Sequence, residues 1–242
     1  TKSLGRNLHY FQGRNIENIR MGNIADAYNL NGWASAATRT DVVDMYRYPT
    51  ADKSIIKHYT QPLFIAIKIR NKVIPVSAEP IVDFYIINEL NLKGKHTLDI
   101  VFSDSNGNTI LSKSFPVNIK GGEEFGQLLV ENVRLSGISQ QGYYFVKATL
   151  NSGGVKKAEG FDDIYAVDIN TNNIDPAGFL VFEKDDIIKN FLKKVKGVSI
   201  NSYSISSPET NMIIVGNHDF EKISPSELSN IFERVQNGTK LI

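Results

Sequence analysis

The feature that most constrains this chain is a change of hydrophobic period partway along it. From about residue 53 to 170, apolar side chains recur at every second position; from about 176 onward they recur at every third or fourth. QPLFIAIKIR places Leu63, Ile65, Ile67 and Ile69 on one face, and EPIVDFYIIN does the same with Val82, Phe84 and Ile86. HTLDIVFSD continues the pattern through Leu98, Ile100 and Phe102, and GYYFVKATL through Tyr144, Val146, Ala148 and Leu150. A period of two is the mark of a strand with one face buried. Asn106-Gly107 reads as the positive-φ pair of a tight hairpin turn. Residues 151–154 read as a second turn, followed by a last strand over 161–169. Short strands at regular intervals predict a β-sandwich of immunoglobulin-like type over 53–170.

Beyond a polar, proline-containing linker at 171–177 the chain changes character. GFLVF reads as a short buried strand, with Asp185 or Asp186 as the cap of the helix after it. Ile187, Ile188, Phe191, Leu192 and Val195 form that helix's apolar stripe, and Gly197 ends it. VSI (198–200) and NMIIVG (211–216) are further strands. Ser224-Pro225-Ser226-Glu227 is a complete helix start, followed by Leu228, Ile231, Phe232, Val235 and then Gly238. Strand, helix, strands, helix, strand predicts a parallel α/β domain over 176–242, Rossmann-like or flavodoxin-like and truncated.

Residues 1–52 show no strand alternation. Ile16, Ile19 and Ile24 fall near helical spacing, with Gly22 weakening the run, and YNLNGWAS (28–35) reads as a strand running into a loop. The region holds no obvious complete core of its own. The chain opens on Thr1, and NGTKLI ends it at what reads as the start of a strand. Both ends are expected to be cut from a longer protein.

Composition narrows the chemistry. A net charge of +1, with the two signs mixed, gives no field for nucleic acid or an anionic membrane. No apolar run is long enough to span a bilayer. With no cysteine there are no disulfides, thiolate metal sites or cysteine nucleophiles. Compartment is not fixed by this, and a periplasmic or secreted location stays open. His9, His58, His96 and His218 are scattered without ligand spacing and read as surface or packing residues. Asp104 and Asp162-Asp163 lack a calcium-loop pattern around them. No metal or cofactor is expected: G-x-G-x-x-G does not follow Phe182, and no P-loop lysine pattern occurs. Val215-Gly216-Asn217-His218 is a strand end where a site could lie. Asp41 and Asp44, with Arg39 and Arg47, read as an ion-paired surface.

Asn88-Glu89 imitates the strand-end Asn-Glu pair that supplies the general acid of some barrel glycosidases. A glutamate in that role needs a second carboxylate about 5–5.5 Å away as nucleophile. The pair here ends a strand of the sandwich and precedes a simple turn, which favours a structural role. Trp33 is the only tryptophan and offers a face on which sugar C–H bonds can pack. Its bland alternative is a core or interface residue. Tyr143, Tyr144 and Tyr85 are further aromatics that could form a platform on the sandwich.

The segment NLNGWASAATRTDVVDMYRYPTADKSIIKHYTQPLFIAIKIRNKVIP resembles the part of glycoside hydrolase family 2-type enzymes, β-galactosidase- or β-mannosidase-like, that leaves the catalytic barrel and runs into a C-terminal β-sandwich. VDFYIINELNLKGKHTLDIVF resembles the first strands of that sandwich. GFDDIYAVDI, the capped helix and NGTKLI resemble an α/β module appended in some large bacterial members. The resemblance covers most of the chain and includes no catalytic signature. It implies a retaining β-glycosidase parent whose two glutamates lie upstream of Thr1, with residues 1–52 as the end of the (β/α)8 barrel and linker, RNIENIR its last helix and NLNGW its last strand. A lone last barrel segment cannot close that sheet, so on this resemblance residues 1–52 are expected to be irregular or docked as an extended arm. It also implies that Trp33 lines the sugar subsite, that carbohydrate is the parent's partner, and that a homo-oligomer is open. On this reading the chain is an inactive accessory portion of a glycoside hydrolase acting on β-linked carbohydrate, with no catalytic residue. The alternative is a carbohydrate-binding module without catalysis.

Overall fold

The computed structural model describes residues 2–23, 25, 42–44, 46–169, 175–217 and 223–242. The chain divides into two compact units, Thr1–Asp168 and Ile169–Ile242.

In the first unit, helices α1 (Lys2–Gly22) and α2 (Lys53–Tyr59) precede eight strands. These are β1 (Leu63–Ile69), β2 (Val73–Pro75), β3 (Ile81–Asn88), β4 (Gly94–Asp104), β5 (Thr109–Ile119), β6 (Gly126–Arg134), β7 (Gly142–Ser152) and β8 (Val155–Val167). They form two sheets, ordered β1-β3-β6 and β2-β8-β7-β4-β5. All pairings are antiparallel except β2 with β8, which is parallel. The alternation read from the sequence produces the core directly. Ile65, Ile67, Phe84 and Ile86 from one sheet meet Leu98, Ile100, Phe102, Val146, Ala148 and Leu150 from the other in one buried cluster. Each large side chain so buried contributes about 1.5–3 kcal/mol. At one edge the sheets nearly touch: a Cβ on Gly160 of β8 would lie 1.8 Å from the Ile65 carbonyl oxygen of β1. Only glycine permits that approach.

Two expectations are corrected in this unit. Residues 2–22 are neither irregular nor an extended arm; they are a 21-residue helix. The cause is a second apolar face on the three-stranded sheet. Phe64, Ala66 and Ile87 point away from the main core and are fully buried, with Met21 of α1 and Tyr85 packed against them. The burial of β1 is therefore almost continuous, as in a strand covered on both sides. The helix is pinned at its end by Asn23, which donates to the Gly126 carbonyl at 2.6 Å and accepts from the Gly126 amide at 2.8 Å. In the β4–β5 hairpin, only Gly107 has positive φ (85°); Asn106 does not. Asp104 Oδ1 accepts from the amides of Asn106 and Asn108, each at 2.9 Å. That side chain stabilises a longer, bulged loop, with the register shifting between Phe102 and Ser103.

The second unit begins with a 3-10 turn, Pro176–Gly178, and continues β9 (Phe179–Phe182), α3 (Ile187–Lys196), β10 (Asn201–Ser202), β11 (Met212–Val215), α4 (Pro225–Gln236) and β12 (Lys240–Leu241). The four strands lie in the order β10-β9-β11-β12 and pair in parallel throughout. Leu180, Phe182, Tyr203, Ile213, Ile223 and Ile231 form the core. The start of α4 is as read: the Glu227 amide donates to Ser224 Oγ at 3.2 Å and the Ser224 amide to Glu227 Oε2 at 2.9 Å. The start of α3 is not. Asp186 stands at the N-cap in a left-handed conformation (φ 56°) and its side chain makes no cap bond. Glu183 does that work, accepting from the amides of Ile188 at 2.8 Å and Lys189 at 3.0 Å. The strand expected at 198–200 forms instead at Asn201–Ser202. Ile187 and Phe191 of the expected apolar stripe are exposed, and the Val195 side chain lies outside the described residues.

Candidate functional site

Trp33 lies outside the described residues, as do the 28–35 strand, Arg39, Asp41, His218 and most of the linker at 171–177. Asn88 and Glu89 are described, and both have structural work. Asn88 is buried at the end of β3. Its side-chain amide donates to the Leu92 carbonyl and its oxygen accepts from the Leu92 amide, each at 2.9 Å. It thereby closes the turn that the sequence suggested. Glu89 Oε1 lies 2.7 Å from the Arg20 guanidinium.

Two buried carboxylates, Glu17 of α1 and Asp162 of β8, converge on Arg14. Arg14 stands between them, 2.7 Å from Glu17 and 3.4 Å from Asp162, and Lys72 also pairs with Asp162. Burial pushes the Glu17 carboxyl up to about 7; Arg14 opposes the shift and Asp162 reinforces it. Burial works against the charge on Arg14, yet the two carboxylates hold its ionisation above the ordinary value. A raised carboxyl pKa can mark a general acid. Here Glu17 is 1% and Asp162 5% exposed, and a guanidinium fills the space between them. Substrate has no access, and the cluster ties α1 to β8. His58, its pKa lowered by burial, sits beside it against Tyr59, Phe64 and Phe161. His9 is fully buried and bonds Thr50 at 3.1 Å, and His96 is buried in β4; both are packing residues.

The outer face of the five-stranded sheet has a different character. Of the three tyrosines singled out from the sequence, only Tyr143 is exposed. Tyr144 belongs to the core, its hydroxyl donating to the Gln140 carbonyl at 2.9 Å. Tyr85 lies half-buried against Phe64 and Ile87. Sequence reasoning missed Phe145 and Phe161, exposed by 44% and 65%. The signal was available for Phe145, which takes the outward parity of a strand whose inward residues are legible; Phe161 opens the last strand, for which the sequence analysis assigns no face. Asp163 is Phe145's cross-strand partner, and Lys147 is Phe161's. Beside Tyr143 a cavity of about 210 Å³ opens, lined in part by Asp104, Ser105, Asn106, Gln140 and Gln141.

In the second unit the strand end at Gly216 is filled by the chain itself. Asn217 donates to Asp185 at 2.8 Å, and a Cβ on Gly216 would lie within 3.0 Å of Ile188 and Glu183. The anion-favouring start of α3 is occupied by the Glu183 carboxylate. Among the described residues, no group of three or more histidines and carboxylates is placed to hold a metal ion.

No family model matches the chain, and no curated protein matches it. Solved structures resemble it at low identity. The CARDB domain of the PF1109 protein from Pyrococcus furiosus, solved with di-metal ions, is 17% identical, covering 44% of this chain and 93% of that one, with a TM-score of 0.31. A glycosyl hydrolase family 2 member from Bacteroides cellulosilyticus is 16% identical over 76% of this chain and 26% of its own, with a TM-score of 0.34. The β-glucuronidase of Parabacteroides merdae is 12% identical over 73% and 24%, with a TM-score of 0.31. The chain thus spans about a quarter of the length of these hydrolases. The likeness is one of β-rich fold at low identity.

Proposed function

We propose that this chain is a non-catalytic accessory portion of a retaining glycoside hydrolase acting on β-linked carbohydrate, a scaffold for a catalytic barrel encoded outside it. The observation that carries the reading is the ion pair between Arg20 and Glu89. It commits the one glutamate in a glycosidase-like motif to holding α1 in place. On this reading residues 1–52 are the end of the barrel and its linker, α1 is the barrel's last helix, and Trp33 contacts sugar in the parent enzyme. Residues 53–170 are an immunoglobulin-like sandwich. The strand order and the Tyr144 hydroxyl bonded back to Gln140 at the start of β7 support that class. Residues 176–242 are a flavodoxin-like module, supported by the parallel order β10-β9-β11-β12. The test is the genomic reading frame upstream of Thr1. It is expected to encode a barrel with two strand-end glutamates, and a frame without one overturns the proposal.

A second reading, a carbohydrate-binding module without catalysis, is favoured by the exposed Tyr143, Phe145 and Phe161 on one sheet face.

A further inference from the structure

We infer that the outer face of the five-stranded sheet is a platform for a neutral, extended oligosaccharide, with Tyr143, Phe145 and Phe161 as its stacking rings. This rests on the second reading above and gives it a site and a ligand class.

The three rings are exposed by 53%, 44% and 65% and lie on adjacent strands. Tyr143 and Phe145 are two residues apart on β7, about 7 Å at the rise of a strand. Phe161 sits across β8, opposite Lys147. That places it roughly 8 Å beyond Phe145, so the row spans about 14 Å. Rings at this spacing can each stack on a different pyranose of a stretched chain. Two of them are held from behind or beside. Phe161 stacks on His58 with centroids 4.4 Å apart, and Tyr165 meets Tyr143 edge-on at 4.8 Å. Preorganised rings lose little freedom on binding.

The chemistry between the rings selects the ligand. A protein-docking face would present contiguous apolar surface. Here Asp163 and Lys147 stand between Phe145 and Phe161, with Ser103 and Thr149 alongside the row, supplying hydrogen-bonding groups at sheet spacing. The charges nearest the rings are paired with one another. Glu159 lies 3.4 Å from Lys147 and 3.0 Å from Lys156, and Asp163 is 3.8 Å from Lys72. Such a face complements a neutral ligand better than an acidic one. At the Tyr143 end, the 210 Å³ cavity with Ser105, Asn106 and Gln140 in its lining can receive the terminal sugar. It is smaller than the roughly 300–1,000 Å³ that encloses a drug-sized ligand, so the rest of the chain must run along the open sheet.

The test is calorimetric titration of the full chain with cellohexaose, with an anionic glycosaminoglycan hexamer as comparison. Saturable binding of cellohexaose is expected, weakened about tenfold by either Tyr143→Ala or Phe161→Ala. Phe232→Ala, which removes an equally exposed ring in the second unit, should bind as wild type. Chemical-shift changes of the Tyr143 and Phe145 ring protons in the unmutated protein check the site without any variant. Binding that survives both substitutions overturns this site while leaving the second reading intact. Tighter binding of the anionic hexamer overturns the neutral ligand class. Absence of binding to either overturns both, as does a change confined to self-association in the variants.

Discussion

The Arg20 guanidinium reaches the Glu89 carboxylate at 2.7 Å while donating to the carbonyls of Tyr59 at 2.7 Å and Gln61 at 2.6 Å. One side chain thus joins α1 to the end of α2, the entry to β1 and the exit of β3. Arg20→Ala leaves two carbonyls and a carboxylate without this partner. It should destabilise the first unit by about 3 kcal/mol, read as a lower urea midpoint. Arg20→Lys should recover only part of the loss, because an ammonium cannot reproduce the planar fork.

Glu17 gives the first unit a pH dependence of definite sign. Its carboxyl titrates near 7 when folded against 4.5 as the ordinary value, because burial disfavours the anion. The folded chain therefore binds more protons than the unfolded chain between these values. The contribution to stability is fully present below about 4.5 and is lost as the pH rises through about 7. The shift corresponds to about 3 kcal/mol at most. Urea unfolding of Glu17→Gln across pH 4 to 8 should show a flatter profile than wild type, and the difference between the two curves isolates this group.

Gly160 should tolerate no side chain. A Cβ there meets backbone, the Ile65 oxygen at 1.8 Å, and backbone of a core strand cannot swing aside. Gly160→Ala should cost more than about 4 kcal/mol. Circular dichroism and solubility would report it as loss of the folded first unit.

The capping box of α4 predicts a small, local effect. Ser224→Ala removes the acceptor for the Glu227 amide and should cost about 1 kcal/mol in the second unit. Hydrogen exchange should speed up in the first turn of α4 and leave the sandwich unchanged.

The inward faces of the two sheets of the first unit were legible because alternation reports burial on one side: Ile65, Phe84, Ile100 and Val146 all lie where the period puts them. What alternation cannot report is a strand buried on both sides, so the helical spacing of Ile16 and Ile19 hints at α1 but not at its length or its docking. Phe64, Ala66 and Ile87 signal it only once a covering helix is imagined. The capping box of α4 was readable because its residues are contiguous. The cap of α3 was not, because Glu183 reaches forward five and six residues and displaces the expected aspartates. The ion cluster around Arg14 was invisible for a similar reason: Arg14 and Asp162 are 148 residues apart. Glu89 was read as structural from its context, but its partner Arg20 needed the fold.

Hydrolysis of a panel of aryl β-glycosides by this chain alone tests the central claim most directly. The arrangement predicts no turnover above buffer at any pH from 4 to 8, since Glu89 is held by Arg20 and Glu17 is buried against Arg14. Turnover that disappears in Glu89→Gln or Glu17→Gln would contradict it.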